Sequence, residues 1–335
     1  AYAHVARRNR EGAVAALREA ERLDRDDLNV QQGLAEVYDL LGETDLALRW
    51  HEACIASATG LGMSPSFLRR LERDCHRLRE RMTPHMVEAP APRLYGDVEL
   101  EESLAARLSP SERGQVVNPL TGSPEMARWA GQLAEGAKGD LEKARRLFDP
   151  LSKRLQRRGR AVPHTAQEVF ALWGDPTQSF VCHDYATLFI ALARAVKVPA
   201  FYVVVEEDCY GRKGPHACAG IPTPRGLLLV DPVYRWFGVP HKRIVPLNDL
   251  QVIGTYLGHF SQRDLERCRT GVKLVPDLPW ARICLANALV LANRLHEAEQ
   301  PLDQLDRLAP GRWDTLLMRG MLAARDDRLE DAVAR

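Results

Sequence analysis

The chain has 335 residues, 45% of them apolar and 27% charged, with 46 basic against 45 acidic side chains. That composition suits two or three globular domains and excludes a disordered or collagen-like chain. A formal charge of +1 gives no overall pull toward nucleic acid or an acidic membrane, and the longest uncharged apolar run, 283–292, falls far short of the ~20 residues of a membrane span.

Seven cysteines (54, 75, 182, 209, 218, 268 and 284) are scattered without a Cys-x-x-Cys pair. They predict reduced, mostly buried thiols in a cytoplasmic protein. No secretory signal is visible. The chain opens at Ala1 and both ends fall within repeats, which leaves room for sequence upstream. Arginine outnumbers lysine 39 to 7, a bias expected of a GC-rich bacterial source.

Helical units come first. Ala13 and Ala47 are 34 residues apart, as are Ala20 and Cys54. Each alanine opens a second helix after a short turn, and Ala35 and Tyr38 precede Gly42 where two helices of a hairpin pack closely. Residues 64–83 predict a further amphipathic helix. Residues 85–122, with Ala89-Pro-Ala-Pro92 and Asn118-Pro-Leu-Thr-Gly-Ser-Pro124 at either end, read as a linker carrying a short helix at 99–107.

Ser123-Pro124 starts a helix expected to reach 136. A second, 141–157, has Leu141, Ala144, Leu147, Phe148, Leu151 and Leu155 at helical spacing. Its other face carries Lys143, Arg145, Arg146, Lys153, Arg154, Arg157 and Arg158. No aromatics interleave with these charges, so the face predicts a solvated surface or one for an acidic partner, not a nucleic-acid site.

After a short helix at 165–171, the chain from Cys182 to Val196 is apolar on most sides, as a buried central helix is. Ser179 is the expected cap. Cys182 then sits in the first turn, where the helix dipole favours thiolate. Strands are predicted at 201–205 and 227–230, with His216 on the hairpin between them and Asp231-Pro232 closing the second. A nucleophilic thiol needs a base, and that base needs a carboxylate to fix its tautomer. Cys182, His216 and Asp231 supply the three types. Cys209, His216 and Cys218 could be weighed as zinc ligands, but they lack paired spacing and a fourth partner; neither metal nor cofactor is expected.

At the C-terminus the 34-residue spacing returns in Ala298 and Ala332 and in Ala286 and Gly320, with Pro310 between units. This period resembles that of tetratricopeptide repeats, about two units at each end of the chain, and the resemblance implies docking of a substrate or partner protein.

The middle of the chain resembles the transglutaminase-like superfamily, a papain-like cysteine fold. The resemblance rests on Cys182, Tyr185, Ala186, Leu188, Phe189, Ala191, Leu192 and Arg194, then Val198-Pro199-Ala200, His216-Ala217 and Asp231-Pro232. Phe180 stands where the family often has glycine, and Cys218 where an aromatic usually follows His-Ala.

The implied fold is α+β, a Cys-bearing helix packed on a small antiparallel sheet, between helical repeats. The expected division is repeats over 1–84, linker over 85–122, catalytic core over 123–262 and repeats over 263–335. The implied activity is acyl transfer or hydrolysis at an amide or peptide bond. Cys182 would be the nucleophile, His216 the base and Asp231 its orienting group. The substrate would be a peptide, a protein or an amide-bearing small molecule; neither nucleic acid nor membrane is an expected partner. The Cys182 N–H would be one oxyanion donor, with Gln178 or Trp173 supplying the second. His183, Tyr234 and Trp236 would line the substrate rim. The alternative is a non-catalytic scaffold of the same fold.

Overall fold

A computed structural model describes residues 10–82, 84–154, 164–259 and 264–325. In chain order the elements are α1 (Arg10–Asp24), α2 (Leu28–Leu40), α3 (Thr44–Gly60), α4 (Pro65–Arg81), β1 (Met86–Val87), α5 (Asp97–Arg107), α6 (Pro110–Arg113), α7 (Pro124–Ala134), α8 (Asp140–Lys153), α9 (Ala166–Leu172) and α10 (Cys182–Ala195). There follow β2 (Phe201–Glu207), β3 (Lys213–Thr223), β4 (Gly226–Asp231), β5 (Trp236–Phe237), β6 (Arg243–Leu247), α11 (Asp249–His259), α12 (Leu265–Leu274), α13 (Pro279–Leu291), α14 (Leu295–Leu308) and α15 (Trp313–Arg325). No helix among the described residues is long and apolar enough to cross a membrane.

The chain divides into two compact units. One holds the N-terminal residues to His85 together with Tyr234–Val239; the other holds Met86–Val233 and everything from Pro240 onward.

In the first unit α2 and α3 form a hairpin around Gly42, whose φ of +76° is a left-handed conformation suited to glycine. Gly62 makes the same turn between α3 and α4. Of the small residues at 34-residue spacing, Ala13, Ala47 and Cys54 are fully buried and Ala20 is half-buried; Ala35, in the same hairpin, is also fully buried. Their size lets backbones approach while Leu34, Leu48, Leu71 and Leu78 fill the space between.

In the second unit, the strands follow the path β1-β4-β3-β2-β6, each neighbouring pair antiparallel. Phe201 to Val205 are all buried, the continuous apolar run expected of a strand covered on both faces. Phe201 pairs with Gly220, and a Cβ on Gly220 would lie 2.4 Å from the Phe201 ring. Glycine is therefore required for that ring to cross the neighbouring strand. Helix α10 packs on β3, and its residues from His183 to Ala193 are buried without interruption. Around it pack α7, α8 and α9, through Met126, Ala130, Leu147, Phe148 and Val169.

The segment read as a linker does more than connect. Met86 and Val87 pair with Leu228 and Leu227 as an edge strand. Leu100 and Leu104 of α5 are buried. The Tyr95 N–H donates to Asp249 Oδ2 at 2.9 Å, and Arg107 donates to the Leu274 carbonyl at 2.9 Å. These partners lie about 150 residues downstream, out of reach of any local pattern.

The C-terminal helices pack with the same care for size. A Cβ on Gly271 would sit 2.6 Å from the Gly254 carbonyl oxygen, and one on Gly258 would sit 2.8 Å from Cys284 Cβ. Ala286 and Ala298 are fully buried between α13 and α14, whose turn is made by Asn293 at φ +58°. Ala332, the last residue of the predicted spacing, lies outside the described residues.

Candidate active site

Cys182 is the first residue of α10, so its N–H is one of the amides a helix leaves without an intrahelical partner. The predicted cap at Ser179 is not used. Val181 occupies the cap position, and its N–H donates to Asp184 Oδ2 at 2.8 Å. Asp184 also accepts from the His164 N–H at 2.8 Å. A carboxylate one turn inside the helix can reach back to the entering chain, and here it also ties down the approach to α9. Burial pushes the Asp184 carboxyl up, while the two N–H bonds pull it the other way. Cys182 and Cys209 are half-buried, and the other five cysteines are buried. Burial pushes the Cys54, Cys75 and Cys284 thiols up to about 12 and Cys268 up to about 11.

The register of β3 on β4 explains how His216 and Asp231 meet. Ala219 pairs with Val230, so Asp231 comes one step further along, opposite Cys218, with His216 two residues away on the same face. Diagonal neighbours of this kind lie within side-chain reach. His216 Nε2 donates to Asp231 Oδ2 at 2.6 Å, and the carboxylate is fully buried. The Cys182 sulfur lies close enough to the same ring to favour its charged form; with Nε2 committed to Asp231, Nδ1 is the nitrogen left for the thiol. Burial opposes charge on His216, but the Asp231 carboxylate and the Cys182 sulfur outweigh it and push the imidazole up to about 10. Asp231 moves the opposite way. Burial alone would raise it; the His216 charge and the bonds from His216 and His241 hold it below the usual carboxylate range.

Residues 127–238 match the transglutaminase-like superfamily. The match spans about a third of the chain and includes Cys182, His216 and Asp231. No curated protein and no solved structure matches the chain.

Just beyond the matched stretch of the transglutaminase-like core lies a residue that the sequence reading did not single out. His241 Nε2 is 3.1 Å from Asp231 Oδ2, and its Nδ1 is 3.2 Å from the Cys209 N–H. The ring is fully buried. Its only sequence signal is a histidine ten residues after the aspartate, in Pro240-His-Lys-Arg243.

His216, Asp231 and His241 bring their ligand atoms within 4.8 Å of one another, a different set from the cysteines and histidine weighed as zinc ligands above. A metal-binding imidazole usually gives its second N–H to an acceptor. His241 does the reverse, because its Nδ1 faces a donor. Its proton must then be on Nε2, where a metal would have to bind, so the arrangement suits a hydrogen bond to Asp231 better than an ion.

The remaining predicted positions of the transglutaminase-like core separate clearly. Trp173 stacks on Phe180 at 5.6 Å and meets Tyr185 edge-on. The Arg154 guanidinium lies 4.8 Å from both the Trp173 and Phe180 rings. It donates to the carbonyls of Trp173 and Asp175 and, more distantly, of Gln178. Phe180 thus fills a cation–aromatic cluster where a glycine would leave a gap. Gln178 turns its amide to Asp175 Oδ2 at 3.2 Å. His183 is buried, with Nδ1 3.1 Å from the Tyr202 hydroxyl and its ring stacked on Tyr256; it packs the base of the helix. Tyr234 and Trp236 fall in the strip that belongs to the N-terminal unit, where Trp236 is buried beneath the Arg79 guanidinium.

The basic face of α8 is spent largely on internal bonds. Lys143 caps the Val196 carbonyl at 3.1 Å, Arg145 pairs with Asp149 and Arg146 with Glu142. Arg157 and Arg158 lie outside the described residues.

Proposed function

We propose that Cys182, His216 and Asp231 carry out thiol-dependent acyl transfer or hydrolysis at an amide or peptide bond. The thiol proton passes to His216 Nδ1 before attack, as the raised imidazole favours, and Cys182 sulfur then adds to the amide carbonyl carbon. The tetrahedral intermediate collapses when His216 returns that proton to the leaving nitrogen, which departs as an amine and leaves a thioester on Cys182. Water or a second amine, deprotonated by His216, then attacks the thioester and restores the thiol. Asp231 keeps the imidazole in the tautomer that presents Nδ1 to sulfur and balances the charge that forms on the ring. The Cys182 N–H is one donor to the developing oxyanion, and a Gln178 amide released from Asp175 would be a second.

The observation that carries this reading is the 2.6 Å bond from His216 to the buried Asp231 carboxylate, on a ring whose charged form the half-buried Cys182 sulfur also favours. A structural role alone does not call for a buried charge paired in this way, since burial of a carboxylate is costly without compensation. The substrate would be a peptide, a protein or an amide-bearing small molecule in the cytoplasm. The helical hairpins toward the two ends of the sequence, with their tetratricopeptide-like spacing, would dock the substrate or a partner protein.

The test is the pH dependence of iodoacetamide alkylation at Cys182, with the adduct located by mass spectrometry, in wild type and His216→Ala. Reaction at Cys182 well ahead of the other six cysteines near pH 6, lost in His216→Ala, supports the Cys–His pair. Equal reactivity in both proteins would overturn it and leave the non-catalytic scaffold as the reading to pursue.

A further inference from the structure

Asp231 Oδ2 receives two imidazoles. His216 Nε2 lies at 2.6 Å and His241 Nε2 at 3.1 Å, while Oδ1 accepts from the Val233 N–H at 3.0 Å. The two histidine rings meet edge to face with centroids 5.7 Å apart. His241 is brought here by its loop: the adjacent Lys242 N–H donates to the Glu207 carbonyl at 3.1 Å, and the Cys209 N–H is aimed at His241 Nδ1. The Cys209 turn is itself braced by Asp208, which accepts from the Tyr210 and Arg212 amides at 2.8 Å each. Each of these contacts constrains which way the His241 ring faces and which nitrogen holds its proton.

We infer that His241 is a positioning residue of the relay, held by the Cys209 amide in the tautomer that donates from Nε2, so that it aims Asp231 Oδ2 at His216 and draws off part of the carboxylate's charge. The inference rests on the acyl-transfer reading for its consequence, though not for its geometry. Two donors on one oxygen compete. A carboxylate shared with His241 stabilises charge on the His216 ring less than an unshared one, which matters in the step where His216 must give its Nδ1 proton to the leaving nitrogen. The titratable groups facing the pair are Cys182 from α10, Cys218 from β3 and, behind the cysteines, the Tyr202 hydroxyl from β2. None of them substitutes for a second N–H on Oδ2.

Nitrogen-15 histidine NMR tests this directly. In wild type the His241 ring is expected as the Nε2–H tautomer; a proton on Nδ1 would overturn the inference before any variant is made. The second arm uses Cys182→Ala protein, in which sulfur no longer contributes to the His216 titration. There His241→Leu should move the His216 midpoint up by about one pH unit, about tenfold in proton affinity, and move its Nε2–H resonance to lower field. His241→Gln, which keeps an N–H near the same place, should restore most of both changes.

An unmoved or lowered midpoint in His241→Leu refutes the inference, as does a His241→Gln protein that matches His241→Leu. A purely packing role predicts that outcome, with lowered melting temperatures in both variants and the His216 resonance unchanged. Failure of the acyl-transfer reading shows elsewhere, in Cys182 alkylation that ignores His216, and would leave these ring resonances as they are.

Discussion

The N-terminal helical unit and the transglutaminase-like core both bury apolar side chains thoroughly, yet they treat polar groups differently. In the N-terminal unit the buried polar residues are few, such as Gln31 and His51. Gln31 bonds a backbone carbonyl at 3.1 Å, and burial pushes His51 down, toward the neutral form. In the core, Asp184 and Asp231 are fully buried carboxylates, each held by at least two donors. A hairpin of small residues needs only shape. A buried charge needs partners placed in advance, and such places are where chemistry is to be sought.

The sharpest way to break that contrast is at the nucleophile. Cys182→Ala should abolish the rapid alkylation and any turnover while leaving the melting temperature near wild type, since the side chain is half-buried and its loss opens no large cavity. An adduct forming as fast on another cysteine would place the chemistry elsewhere. Next in size, His216→Ala should lower the rate of an amide-cleaving assay about 10²–10⁴-fold, the range for losing a general base. A drop confined to KM would show that the ring only binds substrate.

Packing predictions are smaller and separate the regions by mechanism. Leu147→Ala in the fully buried interior should cost about 2–5 kcal/mol in a denaturant titration. Gly271→Ala sets a methyl against the Gly254 carbonyl, a backbone group that cannot swing away, and should cost about 1–3 kcal/mol. Gly42→Ala in the N-terminal unit meets no atom within 4 Å. Its cost comes from the positive φ alone, about 1–2 kcal/mol. Equal tolerance of alanine at positions 42 and 271 would mean that the α11–α12 crossing is looser than described.

Acid and base should probe the relay with opposite signs. His216 is raised to about 10 by Asp231 and Cys182 against the opposing effect of burial. Its contribution to stability is full below its ordinary ~6.5 and declines as pH rises toward about 10. Asp231 is depressed, so its contribution is present above the usual carboxylate range and fades only in strong acid. Melting temperatures between pH 7 and 10 should therefore fall in wild type and fall less in His216→Gln. Parallel curves would show that the pair contributes nothing to stability.

Much of the core was legible along the chain because its signals are local. The apolar run Phe201–Val205, the helix opened by Cys182 and the Asp231-Pro232 strand end each announce themselves within ten residues. The predicted strands fall inside β2 and β4, and the helices within a few residues of α7, α8 and α9. The errors were of another kind. Ser179 has the right chemistry for a cap, but Asp184 takes the entering N–H from inside the helix. The Arg154 charge looked like part of a solvated face; it folds back across 19 or more residues to hold the loop before Cys182.

Residue type and periodicity by themselves marked helices α7 to α10 and strands β2 and β4, since these follow from helical or strand spacing; the choice of Cys182, His216 and Asp231 drew also on the family resemblance. Only the tertiary structure decided that Met86–Val87 joins the sheet, that α5 packs among the buried elements, and that His241 meets Asp231. Those contacts join residues brought together by cross-strand register and loop closure, and a loop histidine carries no period from which its partner could be read.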